Sequence, residues 1–108
     1  VEFWIANENE AGYCGKFIFV FPGQTCPKHM HKNKLETFFI VKGKVNMFYN
    51  GEEKEMKTGD VLRVETEGYH RFTGIEPTLL LEVSKPSIIE DNYFENTSIP
   101  IGGNYTAE

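Results

Sequence analysis

GQTCPKHMHKNKLETFFIVKG, residues Gly23 to Gly43, places two imidazoles and a carboxylate in one short segment. If residues 28–32 are extended, His29 and His31 project from the same face, because alternate side chains of a strand share a side. The polar residues that follow predict a turn that returns the Glu36 carboxylate to the same point. Such a donor set suits a divalent metal ion.

A fourth donor, His70, lies on a separate predicted strand. Three nitrogens and one oxygen would leave coordination positions open on Mn, Zn, Fe, Co or Ni. The expected cofactor is therefore a divalent metal ion, with Mn placed first among these five. The simpler alternative is that the histidines are ordinary polar residues of the strands.

The composition predicts one small all-β domain. The chain has 108 residues, of which 40% are hydrophobic, with nine Phe, five Tyr and ten Gly. This length suits a single core, and aromatic residues with many glycines favour strands joined by tight turns. Turn residues recur every eight to twelve positions, a spacing typical of a sandwich or small barrel.

The predicted strands end before a C-terminal region of a different character. We divide the chain into an N-terminal edge strand and turn (1–12), a barrel (13–84) and a C-terminal arm (85–108). The arm carries many apolar residues, which a disordered tail would not hold. It is expected to lie across the barrel or a partner subunit, which favours a homodimer. Predicted strands cover residues 2–6, 13–21, 36–41, 45–49, 52–56, 60–66, 70–74 and 78–84.

Charge and hydropathy exclude several kinds of partner. The net charge is −5 and no segment is dense in Lys or Arg, so a nucleic-acid partner is not expected. No apolar run approaches the roughly 20 residues of a membrane span. The start of the chain lacks a basic-then-apolar signal. A cytoplasmic protein acting on small solutes is expected, with Cys14 and Cys26 as reduced core residues.

The pattern G-x5-H-x-H-x4-E-x6-G, with a lone His about 30 residues later, resembles the first and second motifs of the cupin family. The resemblance implies a jelly-roll barrel and a metal held by His29, His31, Glu36 and His70. In the second motif only Gly59 and His70 keep their places. A glutamate, Glu67, stands at the position of the family's second glycine, and Gly68 is expected to supply the turn one residue late.

A longer pattern resembles the D-lyxose isomerase family of cupin sugar isomerases. Its first part is Y-x2-K-x6-G-Q-x2-P-x-H-x-H-x2-K-x-E from Tyr13 to Glu36, and its second part includes H-x-F-x-G, E-V-S and D-N-x-F. The resemblance implies a metal-dependent isomerase that interconverts a small aldose and ketose, such as lyxose or mannose, through an enediol. Members of that family are longer, so this chain is expected to have a more open pocket and a different or broader substrate.

Isomerisation needs an acid/base group beside the metal. Lys16, on an apolar strand, could shuttle a proton, and burial of Glu82 in TLLLEVS should raise the pKa of its carboxyl into the range of a general base. Alternatively, these two residues form a structural ion pair.

Other polar and aromatic residues have open roles. Lys28 and Lys34 would receive a phosphate or form a solvated rim, and Asp91 and Asn92 would bind hydroxyls or shape a turn. Aromatic side chains would line a sugar-stacking wall or belong to the core; these are Tyr13, Phe39, Phe48, Tyr69 and Phe72.

The same residues also suit two other functions. The metal and barrel would bind a sugar or carboxylate without turnover if the site were too wet for catalysis. An Fe-dependent dioxygenase could also use the same four ligands. Isomerase, binding module and dioxygenase are distinguished by product formation, by binding without product and by oxygen consumption.

Overall fold

The computed structural model describes residues 1–96 and residue 98, and this part of the chain is almost entirely β-structure. Ten strands and one short 3₁₀ turn, Ile89–Asp91, follow one another without an α-helix in the described residues. The all-β prediction is confirmed. The strands are β1 (Glu2–Glu8), β2 (Tyr13–Val20), β3 (His29–Met30), β4 (Glu36–Lys42), β5 (Lys44–Tyr49), β6 (Glu52–Lys57), β7 (Val61–Val64), β8 (His70–Gly74), β9 (Thr78–Ser84) and β10 (Tyr93–Phe94).

The strands form two antiparallel five-stranded sheets that face each other. The first sheet has the order β1-β2-β9-β4-β7, and the second has the order β10-β3-β8-β5-β6. Alternating residues of β2, β4 and β9 are buried, as the period-two pattern of half-buried strands requires. Apolar side chains from both sheets form the core, including Phe38, Ile40, Met47, Met56 and Leu80.

Two turns show how local sequence sets the backbone. Asn50 and Gly51 join β5 to β6 with φ angles of 51° and 80°, the positive values that a tight hairpin needs. The expectation for Gly68 is wrong, because Glu67 itself adopts φ 64°. Gly68 is instead required by packing, since a Cβ atom there would lie 2.6 Å from Cε1 of Tyr49.

The N-terminal strand β1 is the free edge of the first sheet. It pairs with β2 so that Glu2 lies opposite Ile18 and Trp4 opposite Lys16. A register shift between Trp4 and Ala6 interrupts the ladder. Because Ile18 and Lys16 point into the interior, the side chains of Glu2 and Trp4 also lie on the inner side of the sheet.

The described part of the predicted arm belongs to the second sheet. After β9 the chain makes the 3₁₀ turn, and β10 then pairs antiparallel with β3. The remaining predicted arm, residue 97 and residues 99–108, lies outside the described residues. Among the described residues, no helix is long and apolar enough to cross a lipid bilayer.

Candidate metal centre and active site

Three imidazoles meet at the centre of the second sheet's inner face. His29 lies on β3, His70 lies opposite it on β8, and His31 follows β3. One ring nitrogen from each lies within 4.8 Å of the others, a spacing that a single metal ion can bridge. The structure therefore brings together the three histidines that the sequence pattern selected.

The ring orientations leave one nitrogen of each imidazole free to coordinate. A carbonyl oxygen can only accept a hydrogen bond, so each Nδ1 carries a hydrogen, and Nε2 is the ring nitrogen left to coordinate a metal ion. Neutral imidazole in this tautomer is the form that binds a metal ion. The Nδ1–carbonyl pairs are His29 with Pro27, His31 with Asp91 and His70 with Gly68, each at 2.9 Å.

Glu36, at the start of β4 in the opposite sheet, completes the donor set. Its Oε1 atom lies 2.7 Å from Nε2 of His70 and 3.6 Å from Nε2 of His31. Among the described residues, both Glu36 oxygens and His70 Nε2 are buried without a hydrogen bond of acceptable geometry. Two acceptor atoms this close need a proton or a cation between them. The residues therefore fit a divalent cation.

Burial and nearby charge favour the metal-binding protonation states. Burial, together with the neighbouring imidazoles, lowers the pKa of His29 to about 3. Burial also lowers the pKa of His31 to about 4, although the Glu36 carboxylate opposes this. For Glu36, burial alone would raise the pKa, but the His70 contact and the Lys34 charge outweigh it and lower the pKa. Near neutral pH His29 and His31 are therefore neutral imidazoles and Glu36 is an ionised carboxylate.

Asp91 holds the loop that connects His31 to Glu36. Its side chain is buried, and its carboxylate accepts hydrogen bonds from the backbone N–H groups of Lys32, Asn33 and Lys34 at 2.9–3.2 Å. The Asp91 carbonyl also accepts the hydrogen bond from His31. Of the two roles predicted for Asp91, the structure supports the structural one.

Lys34 connects the candidate metal ligands to the second buried carboxylate. Its side chain is 5% exposed, and Nζ lies 3.2 Å from Oε2 of Glu36 and 3.1 Å from Oε2 of Glu82. The predicted solvated rim is wrong for this buried lysine, whereas phosphate binding stays a prediction, because Lys34 lines the cavity described below. The sequence held a signal, since residues two apart in an extended segment share a face and Glu36 points inward.

Lys16 and Glu82 lie beside each other, as the apolar strands predicted. They are cross-strand neighbours in β2 and β9, with Nζ of Lys16 3.9 Å from Oε1 of Glu82 and 2.9 Å from Oε1 of Glu2. Burial and the nearby Glu36 carboxylate raise the pKa of Glu82, whereas the charges of Lys34 and Lys16 oppose the shift. The pKa of Glu82 is thus raised, as its position in an apolar strand predicted.

A cavity of about 590 Å³ opens over these groups. Its size is within the range of small-molecule sites. Of the five aromatic residues predicted for a sugar-stacking wall, Phe72 alone is among the lining residues of this cavity. Tyr13 is 53% exposed on the outer side of the first sheet. The aromatic lining residues that the sequence prediction omitted are Trp4, Phe38 and Phe94.

Lys28 is not among the residues that line this cavity. Its Nζ atom is 3.3 Å from Oε2 of Glu95 and 4.0 Å from the centre of the Phe48 ring. Asn92 lines the cavity, but its amide nitrogen donates to the carbonyls of Ile88 and Ile89.

Comparison with protein families identifies the fold. Residues 17–84 match the family described as Cupin domain, and this match covers more than half of the chain. The chain is a cupin. The predicted jelly-roll barrel is thereby confirmed. The candidate metal ligands that lie together in the structure are the residues that the two cupin-like sequence motifs selected.

Two curated relatives of this cupin carry isomerase names. The chain is 30% identical over 119 residues to a D-lyxose/D-mannose isomerase of Thermosediminibacter oceani, covering 84% of this chain and 66% of that protein. It is 42% identical over 50 residues to a D-lyxose ketol-isomerase of Cohnella laeviribosi, covering 41% of this chain and 28% of that protein. The chain thus spans at most about two thirds of the length of these two relatives.

A solved structure shows the same architecture over most of the chain. The L-ribose isomerase of Cellulomonas parahominis superposes with a TM-score of 0.81 at 19% identity, covering 94% of this chain and 70% of that one. At this identity the likeness establishes the fold.

Proposed function

We propose that this cupin is a metal-dependent sugar isomerase that interconverts a small aldose and ketose, with D-lyxose or D-mannose as the expected aldose. The observation that carries the proposal is the position of Lys34, whose ammonium group joins Glu36 of the donor set to Glu82. Only the Lys34 side chain thus separates the buried Glu82 carboxyl, whose pKa is raised, from the candidate metal ligands. The isomerase names of the two curated relatives support the same activity.

The proposed metal ligands are His29, His31, Glu36 and His70, with Mn as the first candidate. When bound, the metal ion would supply a Lewis acid that polarises the carbonyl and hydroxyl oxygens of the sugar. Glu82 would take the proton from one carbon and return it to the next, because burial raises its pKa toward the working range of a general base.

The two buried lysines would control the protonation of Glu82. Lys34 donates a hydrogen bond to Oε2 of Glu82, and Lys16 lies on the Oε1 side. Either ammonium group could donate a proton to a sugar oxygen and, as the neutral amine, take it back, while the Glu82 carboxylate moves the proton between carbons. Lys16 keeps its proposed catalytic role, and Lys34 joins it.

The charges around the cavity favour a free sugar over a sugar phosphate. Two ammonium groups line it, those of Lys16 and Lys34, and both face carboxylates. Four carboxylates also line it, at Glu2, Glu36, Glu82 and Glu90. With a divalent cation bound, these charges would balance, so an anionic phosphate would find no unpaired positive charge, whereas neutral hydroxyl groups would find both donors and acceptors.

The test is an isomerisation assay on Mn-loaded protein with lyxose, mannose and the corresponding ketoses. We expect interconversion of at least one pair, and we expect Glu82→Gln to lower kcat by about a hundredfold or more, the usual contribution of a general base. No interconversion in any pair would refute the proposal. Calorimetric sugar binding without product would instead identify a binding module, and oxygen consumption by Fe-loaded protein would identify a dioxygenase.

A further inference from the structure

Trp4 occupies an unusual position for a large aromatic side chain. It is the chain's single tryptophan, it lies on the inner side of the edge strand β1, and it remains 51% exposed while lining the cavity. A half-exposed indole at a cavity mouth contributes little to the core, because much of its apolar surface stays in water. Its exposed face is therefore available to a ligand.

Polar groups flank the indole on the cavity side. The Lys16 ammonium lies over one face of the Trp4 ring, 4.5 Å from its centre, and donates a hydrogen bond to Glu2 at 2.9 Å. Lys16 is 7% exposed, whereas the Glu2 side chain is 46% exposed at the opening. This arrangement leaves the opposite face of the indole for a ligand, with the partly exposed Glu2 carboxylate as an accessible acceptor beside it.

A chain of close contacts separates this surface from the imidazoles. From His70 it passes through Glu36, Lys34 and Glu82 to Lys16, with successive distances of 2.7, 3.2, 3.1 and 3.9 Å. Trp4 contacts Lys16, the last member of this chain. A ligand whose reacting carbons lie near Glu82 would extend its remaining carbons toward Trp4.

We propose that the inner face of β1 is a sugar-binding wall, on which the indole face that Lys16 does not cover stacks against the C–H face of the sugar while Glu2 hydrogen-bonds to its hydroxyl groups. The inference rests on the proposed function for its ligand class. Sugars present an apolar C–H face and a polar rim, which matches an aromatic ring flanked by a carboxylate and an ammonium group. Trp4 is then a specificity-determining residue for the carbons that do not react.

The single tryptophan supplies a readout that does not depend on turnover. Metal-loaded protein is titrated with D-lyxose and, separately, with the pentitol obtained by reducing it, and Trp4 emission is recorded. We expect a saturable change in emission with both, and a Trp4→Ala variant whose KM rises about tenfold, equivalent to about 1.4 kcal/mol, with kcat nearly unchanged. Phe21→Ala is the control, because Phe21 is 54% exposed and does not line the cavity.

The outcomes separate this inference from the isomerase proposal. Turnover without any emission change, or an unchanged KM in Trp4→Ala, would refute the proposed sugar-binding wall without contradicting the isomerase proposal. A saturable emission change without turnover would support the wall and count against the isomerase. If Trp4→Ala folds poorly, Trp4→Phe provides the same comparison with a smaller aromatic ring retained. Its KM should lie between that of the parent chain and the tenfold higher value expected for Trp4→Ala.

A separate observation concerns the outer face of the first sheet. One row of apolar side chains crosses all five strands in register: Phe3, Phe17, Leu81, Phe39 and Val61. Val83 is 49% exposed and Val61 is 60% exposed on the same side. A continuous apolar face of this kind marks an interaction surface.

The geometry also points to a second copy of this chain as the occupant of that face, which we name the outer apolar face. Five strands about 4.8 Å apart and roughly seven residues long give a face of about 550 Å². Two such faces bury about 1,100 Å² in total, slightly above the roughly 1,000 Å² of a specific interface. Apposing the same sheet of two copies is the isologous contact of a two-fold dimer.

The oligomeric state tests this second inference. Sedimentation of the chain should give twice its mass of 12.4 kDa, and Val83→Glu or the more peripheral Val61→Glu should give the monomer with the circular dichroism spectrum retained. Glu53→Lys, on the exposed side of β6, is the control and should remain dimeric. A monomeric parent chain at about 100 µM, or variants that remain dimeric, would overturn it.

Discussion

At the residue scale, Lys34 is the most informative side chain of the site. The sequence places it three positions after His31, where a surface lysine is the ordinary expectation. In the folded chain it lies between two buried carboxylates, and their charges raise its pKa despite the effect of burial, which alone would lower it. Its burial depends on β9 bringing Glu82 to it, a long-range contact that local sequence does not encode.

Removing this ammonium group should destabilise the protein because it leaves Glu36 and Glu82 without their shared partner. Breaking a buried ion pair typically costs about 3–5 kcal/mol, so Lys34→Met should lower the free energy of unfolding by about that amount in urea denaturation of metal-free protein. Adding Glu82→Gln should recover part of the loss, since one unpaired charge is then removed. Lys28→Met is the matched control, and its half-exposed pair with Glu95 should contribute at most about 1 kcal/mol. Equal losses in the two single variants would contradict this account.

At the element scale, the described part of the C-terminal region supports the metal centre. The 3₁₀ turn Ile89–Asp91 delivers Asp91 to the loop after β3, and β10 pairs with β3 itself. Asp91→Asn keeps one acceptor oxygen and replaces the other with an NH2 group, a donor that would then face one or two of the three backbone N–H donors. We expect metal affinity to fall about 10- to 100-fold, as for other partners that orient metal ligands, with the fold retained.

A chelator-competition titration measures this loss of affinity. Asp60→Asn is the control, because Asp60 also accepts a backbone hydrogen bond, from Lys57 at 2.9 Å, in a turn distant from the imidazoles. Its metal affinity should equal that of the parent chain. An Asp91→Asn variant that binds metal as tightly as the control would show that the loop holds its shape without the carboxylate.

The elements differ in how far sequence alone predicts them. β2, β4 and β9 were predicted almost to the residue, because their alternating or apolar runs reflect burial on a sheet. β3 and β10 have two residues each and become strands only by pairing with each other and with β8, so no local pattern specifies β10. The donor set followed from spacing, whereas the roles of Asp91 and Trp4 depend on chain segments distant in sequence.

At the scale of the whole molecule, the candidate donor set joins the two sheets. His29 and His70 belong to the second sheet, and Glu36 belongs to the first. Within the described part of the chain, the buried Glu36 oxygens and His70 Nε2 have no hydrogen bond of acceptable geometry, which disfavours the native state unless another group satisfies them. A bound cation would satisfy these atoms and link the sheets across the core.

Metal removal should therefore lower the stability of the entire domain. A ligand present at a hundred times its Kd stabilises the native state by about 2.7 kcal/mol. For a domain of this length, each kcal/mol shifts Tm by roughly 4–8 °C, so a chelator should lower Tm by about 10–20 °C. Differential scanning calorimetry of parent chain and of His29→Gln/His31→Gln, each with Mn and with chelator, measures the effect. The double variant should show the same Tm in both conditions, because it retains too few donors to hold the ion across the two sheets. An equal chelator effect in both proteins would place the stabilising ion elsewhere on the chain.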